Sequence, residues 1–295
     1  MNLRYNISVL LIAAMAGLFS GCIREDRSDC TCDVLLSFVY TGDGTSDIFS
    51  EKIDKVSLYV YSAGDNSLAG AYEFDKSDLT ALQGAHIRLV PGDYRIVCWG
   101  NSADRTHVHT VYDGAHVAEP AHLSPGLSFN GTDDLYFSDL EVTVPETLVD
   151  VSGVCEFESS HIDMYVKLRG FKNALPTTVK LTHTGCPEYT DFFNSPSSDK
   201  CDVEPVIMDD PEEENSYLLV YNVLRFTESE DTDIVLTTAD DGREFYRLSV
   251  PEFVDRYGID VDGKQEARVA IIITLGPTGV DVSEWNIEDV DPGFD

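Results

Sequence analysis

Residues 161–170 read HIDMYVKLRG. Ile162, Met164, Val166 and Leu168 fall at every second position, with polar or amphipathic residues between them. Successive side chains of a strand point to opposite faces, so this stretch predicts a strand with one apolar side. The same alternation runs through Val269, Ile271, Ile273 and Leu275 of ARVAIIITL (267–275). In YRIVCWGN (94–101), Tyr94, Ile96 and Cys98 oppose Arg95, Val97 and Trp99, so both faces are largely apolar.

Working outward, further strands are expected in DVLLSFVY (33–40), VSLYVYS (56–62), HIRLV (86–90), LYFSDLEVTV (135–144), TVKLTHTG (178–185) and YLLVYNVLRF (217–226). DIVLTTADDGREFYRLSV (233–250) reads as a hairpin, because Asp241-Gly242 supplies the positive φ angles of its turn. Helical spacing is scarce. PEFVDRYG (251–258) suits a short helix entered by Pro251 and stopped by Gly258, and KSDLTALQG (76–84) suits another. Many short strands and few helices predict an all-β protein of antiparallel β-sandwich domains. A break falls near 145–160, which divides the chain into a 34–150 domain and a 151–295 domain in tandem. No internal sequence repeat is evident, so any likeness of the halves is expected in fold only.

The front of the chain has a different character. A polar start with Arg4 precedes an apolar run from Ile7 to Phe19 and the small residues Ser20 and Gly21. The run is too short to span a bilayer, which takes roughly 20 apolar residues. Its layout is that of a secretory signal, residues 1–21, cleaved after Gly21. Leu18, Phe19, Ser20, Gly21 and Cys22 give a loose lipobox, with Cys22 as the lipidated new N-terminus. Each buried methylene of an acyl chain adds about 0.8 kcal/mol, and several chains on one residue hold firmly. Residues 22–33 then form a tether, whose charged REDR (24–27) cannot enter hydrocarbon. The expected location is the cell outer membrane, lipid-anchored and surface-exposed.

The formal net charge is −33, and losing the signal with its single charge, Arg4, makes it −34. Such a surface repels phosphate backbones, so no nucleic-acid partner is expected. Of seven cysteines, Cys22 is reserved for lipid. The other six include Cys186 and Cys201, which flank a loop-like stretch and are the expected disulfide pair.

Motifs for chemistry are wanting. The sequence has no G-x-S-x-G, H-E-x-x-H or P-loop, and Ser197–Lys200 matches S-x-x-K only within a polar loop. DVDG (260–263) lacks the remaining ligands of a calcium loop and reads as a turn. His107, His109, His116 and His122 cluster without completing a metal site. The expectation is therefore no enzyme, no cofactor, no metal and no small-molecule substrate.

GCIREDRSDC, then VLLSFVY, VSLYVYS and LVPGDYRIVCWGN, resemble the FimB-like fimbrial anchoring lipoproteins of Bacteroides-type bacteria. Gly92, Tyr94, Trp99, Gly100 and Asn101 carry much of the likeness, and LYFSDLEVTV and MYVKLRGF extend it. The resemblance implies two transthyretin-like β-sandwich domains and a role at the base of a fimbrium. It also implies assembly by strand addition with a neighbouring stalk subunit, and fixing of the fibre to outer-membrane lipid through acylated Cys22. Stalk subunits of such fibres lose their first strand to a protease after a basic residue. Here no basic residue follows Asp33 until Lys52, which favours an uncut anchor. GVDVSEWNIEDV (279–290) is the expected donor strand, through Val280, Val282, Trp285 and Ile287, with a bulge-like slip at Ser283-Glu284. The other reading is that these residues complete the second sandwich. Rivals to the anchor are a stalk or tip fimbrillin or adhesin, and a glycan-binding surface lipoprotein that stacks sugars on Trp285 or on Tyr59 and Tyr61.

Overall fold

The computed structural model describes residues 30–102, 105–108, 129–147, 149–170, 179–227, 230–277 and 279–285. Gly21, Cys22, His109, His116, His122 and Ile287 lie outside them. Among the described residues, no helix is long and apolar enough to cross a membrane.

The first sandwich contains β1 (Cys32–Val39), α1 (Phe49–Lys52), β2 (Val56–Ser62), β3 (Leu68–Phe74), α2 (Lys76–Ala81), β4 (Gly84–Leu89), β5 (Gly92–Gly100), β6 (Tyr136–Val144), β7 (Val151–Glu156) and β8 (Glu158–Ser159). One sheet runs β4-β1-β7 and the other β3-β2-β5-β6-β8. Alternation on β1 buries Val34, Leu36 and Phe38 between them and turns Leu35 and Ser37 outward. Helix α2 starts where the Asp75 side chain accepts hydrogen bonds from the Ser77 and Asp78 amides, capping donors that the first turn leaves free.

The second sandwich contains β9 (His161–Arg169), β10 (Val179–Pro187), β11 (Lys200–Val203), β12 (Met208–Asp209), β13 (Tyr217–Leu224), β14 (Asp233–Thr238), β15 (Glu244–Ser249), α3 (Val250–Tyr257), β16 (Arg268–Gly276) and β17 (Gly279–Glu284). Its sheets run β12-β13-β9-β16-β17 and β11-β10-β14-β15. The β14–β15 hairpin turns at Gly242, whose φ of 69° is the left-handed value expected there. Helix α3 begins at Ser249 and ends at Gly258, also left-handed with φ 67°.

Laid side by side, the two sandwiches share one plan. β4-β1-β7 corresponds to β13-β9-β16, and β3-β2-β5-β6 corresponds to β11-β10-β14-β15. In each, the first strand runs parallel to a late one, β1 with β7 and β9 with β16. The sheets are therefore not purely antiparallel, as alternation alone suggested; periodicity reports which face is buried and is silent on direction. β17 has no counterpart beside β7 among the described residues. The chain crosses to the second sandwich after Ser159: residues 151–159 pair as β7 and β8 within the first one, so the break lies later than residue 150.

The doubly apolar character of residues 94–101 now has a physical cause. Tyr94, Ile96 and Cys98 face the core of the first sandwich. Val97 and Trp99, with Tyr59 and Tyr61 of β2, face the other way and join a core continuous with the second sandwich. The Tyr61 ring meets Phe192 edge-on at 5.1 Å, and the Arg95 guanidinium lies 4.4 Å over Phe193. Tyr59 and Tyr61 are buried at 7% and 1% exposure, so they form no surface platform for a sugar.

A polar knot flanks this apolar seam. Tyr40 and Lys52 of the first sandwich both donate to the Glu266 carboxylate. Asp43 accepts from the Gln265 and Glu266 amides at 2.8 and 3.2 Å. Arg225 donates to the carbonyls of Val261 and Lys264, both at 2.6 Å, and so fixes the 260–267 turn that makes these contacts. The DVDG stretch is part of that turn, with the Gly263 amide donating to Asp260.

Candidate assembly surfaces

β1 lies in the middle of its sheet, antiparallel to β4 from Cys32↔Leu89 to Ser37↔Gly84 and parallel to β7 from Val34↔Val151 to Val39↔Glu156. It thus fills a slot lined by two other strands. Phe38 anchors it, with its ring 5.8 Å from Phe49, 6.2 Å from Phe74 and 5.6 Å from Phe157. Gly84 lets β4 approach at the slot's mouth: a Cβ there would sit 2.0 Å from the Leu36 carbonyl oxygen. Lys52, the first basic residue after Asp33, lies in α1 and is held by Glu266.

At the other end of the chain, β17 is the outermost strand of its sheet. Its register on β16 is unbroken from Gly276↔Gly279 to Ile271↔Glu284, and the Trp285 amide continues it by donating to the Ala270 carbonyl at 3.0 Å. The bulge expected at Ser283-Glu284 is therefore absent. Val280 and Val282 pack against the second core, whereas Trp285 falls on the opposite face of the pleat. There its ring centre is 5.4 Å from the Lys167 ammonium.

Lys167 is the one lysine or arginine buried among the described residues, and its partners explain why. It pairs with Asp210 at 2.8 Å and Glu213 at 3.1 Å. Burial pulls its pKa down, but the two carboxylates outweigh that and hold it above the ordinary lysine value. Burial pushes Asp210 up, and the ammonium with the Glu212 amide brings it below the usual carboxylate range. Sequence reading did not find this cluster, because an alternating strand gives no sign of which outward lysine is covered.

Cys186 on β10 stands directly opposite Cys201 on β11. Both are thiols in the structure. Burial raises both pKa values, that of Cys201 to about 12, so neither is a reactive thiolate. Among the described residues, no three His, Cys, Asp or Glu side chains converge as metal ligands. Ser197 hydrogen-bonds the Tyr189 amide and the Asp199 carbonyl, and Lys200 pairs with Glu230, both structural roles.

Two sandwiches on one shared plan, one slot filled by the chain's own first strand and, besides the two-residue β8 and β12, a surplus strand at the far end define a β-sandwich protein organised around strand pairing. The family model of fimbrillin-A associated anchor proteins Mfa1 and Mfa2 matches residues 27–291. The chain therefore belongs to that family of fimbrial anchor proteins. No curated protein matches it by sequence. Among solved structures, a candidate polysaccharide-binding protein from Bacteroides thetaiotaomicron is similar at 15% identity and TM-score 0.68, covering 88% of this chain and 100% of that one. A candidate adhesin from Bacteroides ovatus is similar at 16% identity and TM-score 0.66, covering 88% and 95%. The fimbrial anchor protein Mfa2 from Porphyromonas gingivalis is similar at 13% identity and TM-score 0.64, covering 87% and 98%.

Proposed function

We propose that the protein is a non-enzymatic fimbrial anchoring subunit, held in the outer membrane by lipid on Cys22 and joined to a fimbrial stalk subunit by strand addition. The observation that carries this reading is the pairing of a filled slot with a surplus strand. β1 occupies the position between β4 and β7, so the subunit offers no vacant groove there to a further neighbour. β17 is additional to the shared sandwich plan, and no strand lies along its outer edge among the described residues, so that edge can serve a partner. In strand addition, main-chain hydrogen bonds supply affinity and alternate side chains supply selectivity. For Val280, Val282 and Trp285 to be read by the stalk subunit, β17 would leave β16, taking the two valines off the second core and the indole off Lys167. A subunit that gives a strand and accepts none ends the fibre and fixes it to the membrane.

The test is capture of stalk subunits from detergent-solubilised outer membranes by the full mature chain and by a chain lacking residues 279–295. The full chain captures them and the shortened one does not. Equal capture by both removes the donor role. Cys22→Ala should release the protein from membranes and the fibres from cells. A mature N-terminus beyond Cys22 on isolated fibres would instead mark a stalk or tip subunit.

A further inference from the structure

Two cysteines of the first sandwich meet across its core. Cys98 on β5 and Cys155 on β7 belong to opposite sheets, yet both point into the same apolar cluster and both are 0% exposed. Both are thiols in the structure, and the Cys155 thiol is near enough to add to the rise in the Cys98 pKa that burial begins. No other described cysteine competes for either. Cys32 pairs with Leu89 at the far end of β1, whereas Cys155 pairs with Phe38. Six residues of strand separate those two positions, about 20 Å at 3.3 Å per residue. Cys186 and Cys201 face each other in the second sandwich.

We propose that Cys98 and Cys155 form a disulfide that joins the two sheets of the first sandwich. The inference rests on the reading above that the chain works outside the cytoplasm, where disulfides persist. The two thiols lose two protons and two electrons as the S–S bond forms. The electrons reduce the disulfide of an envelope thiol oxidoreductase to its dithiol. Attack requires a thiolate, and burial holds the Cys98 thiol well above its ordinary pKa once the core has closed. The bond is therefore made during folding, before β7 seals the core. It would tie β7, the parallel partner of β1, to β5 in the middle of the other sheet. The strand that walls the β1 slot is then covalently fixed.

The mature chain, isolated from the envelope of producing cells and denatured in iodoacetamide without reductant, should yield a linked peptide pair containing Cys98 and Cys155. Reductant should abolish that pair. A second sample is the same chain refolded in oxidised and reduced glutathione. Alkylated Cys98 and Cys155 in both samples, or either one linked to a different cysteine, would overturn the proposal. Linkage in the refolded sample with alkylation in the envelope sample would overturn it for the cell and place the fault in the location reading. The unfolding temperature of the wild type should fall on adding reductant. In Cys98→Ala/Cys155→Ala it should not move, and an equal reductant effect on that variant would count against the bond.

Discussion

The Lys167 ammonium lies 5.4 Å from the centre of the Trp285 ring, on the face of the sheet opposite the second core. The contact ties the last described residue of the chain to β9, two strands away. A cation over an indole face contributes about 0.5–2 kcal/mol, depending on how far it is desolvated. Trp285→Ala should therefore loosen β17 selectively, seen as faster exchange of the Asp281 and Ser283 amides, which face β16 in this register, with unchanged exchange in β13. Uniform acceleration across the sheet would contradict a local clasp.

Asp210 depends on the same lysine. Its side chain is 2% exposed and pairs with Lys167 at 2.8 Å. Removing one partner of a buried pair leaves the other charge uncompensated, which costs about 3–5 kcal/mol. Lys167→Met should destabilise by about that amount in urea titration. Adding Asp210→Asn should recover more than half of the loss.

His161 should make stability depend on pH at the polar knot. Its Nε2 is 3.3 Å from Asp163 and its Nδ1 is 2.9 Å from the Leu135 carbonyl. Burial lowers its pKa, but Asp163 and the Leu135 carbonyl reverse this and leave it above the ordinary value. A raised histidine gives its full stabilisation below the unfolded value near 6.5 and loses it as pH climbs through the folded value. The wild type should exceed His161→Gln in unfolding temperature by more at pH 5.5 than at pH 9.

His183 should act in the opposite sense. It is buried in the second core, 3.2 Å from the Tyr221 hydroxyl, and burial takes its pKa down to about 3. The unfolded chain binds a proton below pH 6.5 and the folded one does not. Stability should fall by up to about 1.4 kcal/mol per pH unit between those limits. Equilibrium unfolding of His183→Gln should show a shallower acid limb.

Phe38 should control how firmly β1 keeps its slot. It is 1% exposed among three other rings. Phe38→Ala should cost about 3–5 kcal/mol and make the segment before Val39 the first to be cut in limited proteolysis.

Strand identity was legible wherever alternation was strong, as at Ile162–Leu168 and Val269–Leu275, because burial of one face dictates the pattern. β3 escaped, since LAGAYEF lies at an edge with its residues half-buried or exposed, and no core selects its side chains. Strand direction also escaped: the parallel β1–β7 and β9–β16 pairs bury the same alternating faces as antiparallel ones would. The shared plan of the halves was hidden for a related reason. A sandwich asks only for apolar residues at inward positions, so equivalent strands such as VSLYVYS and VKLTHTG agree little beyond their opening Val and Leu. At the chain's end, a slip at Ser283-Glu284 would set Trp285 with Val280 and Val282, whereas the unbroken register sets it on the other face.

The appended position of β17 has an evolutionary consequence. The inner strands of the two matched shells are bound by packing on neighbours, so their sequences can drift only within narrow limits. The appendage carries no such obligation along its outer edge. It can therefore follow changes in whatever it docks to, while the shells that bear it stay as they are.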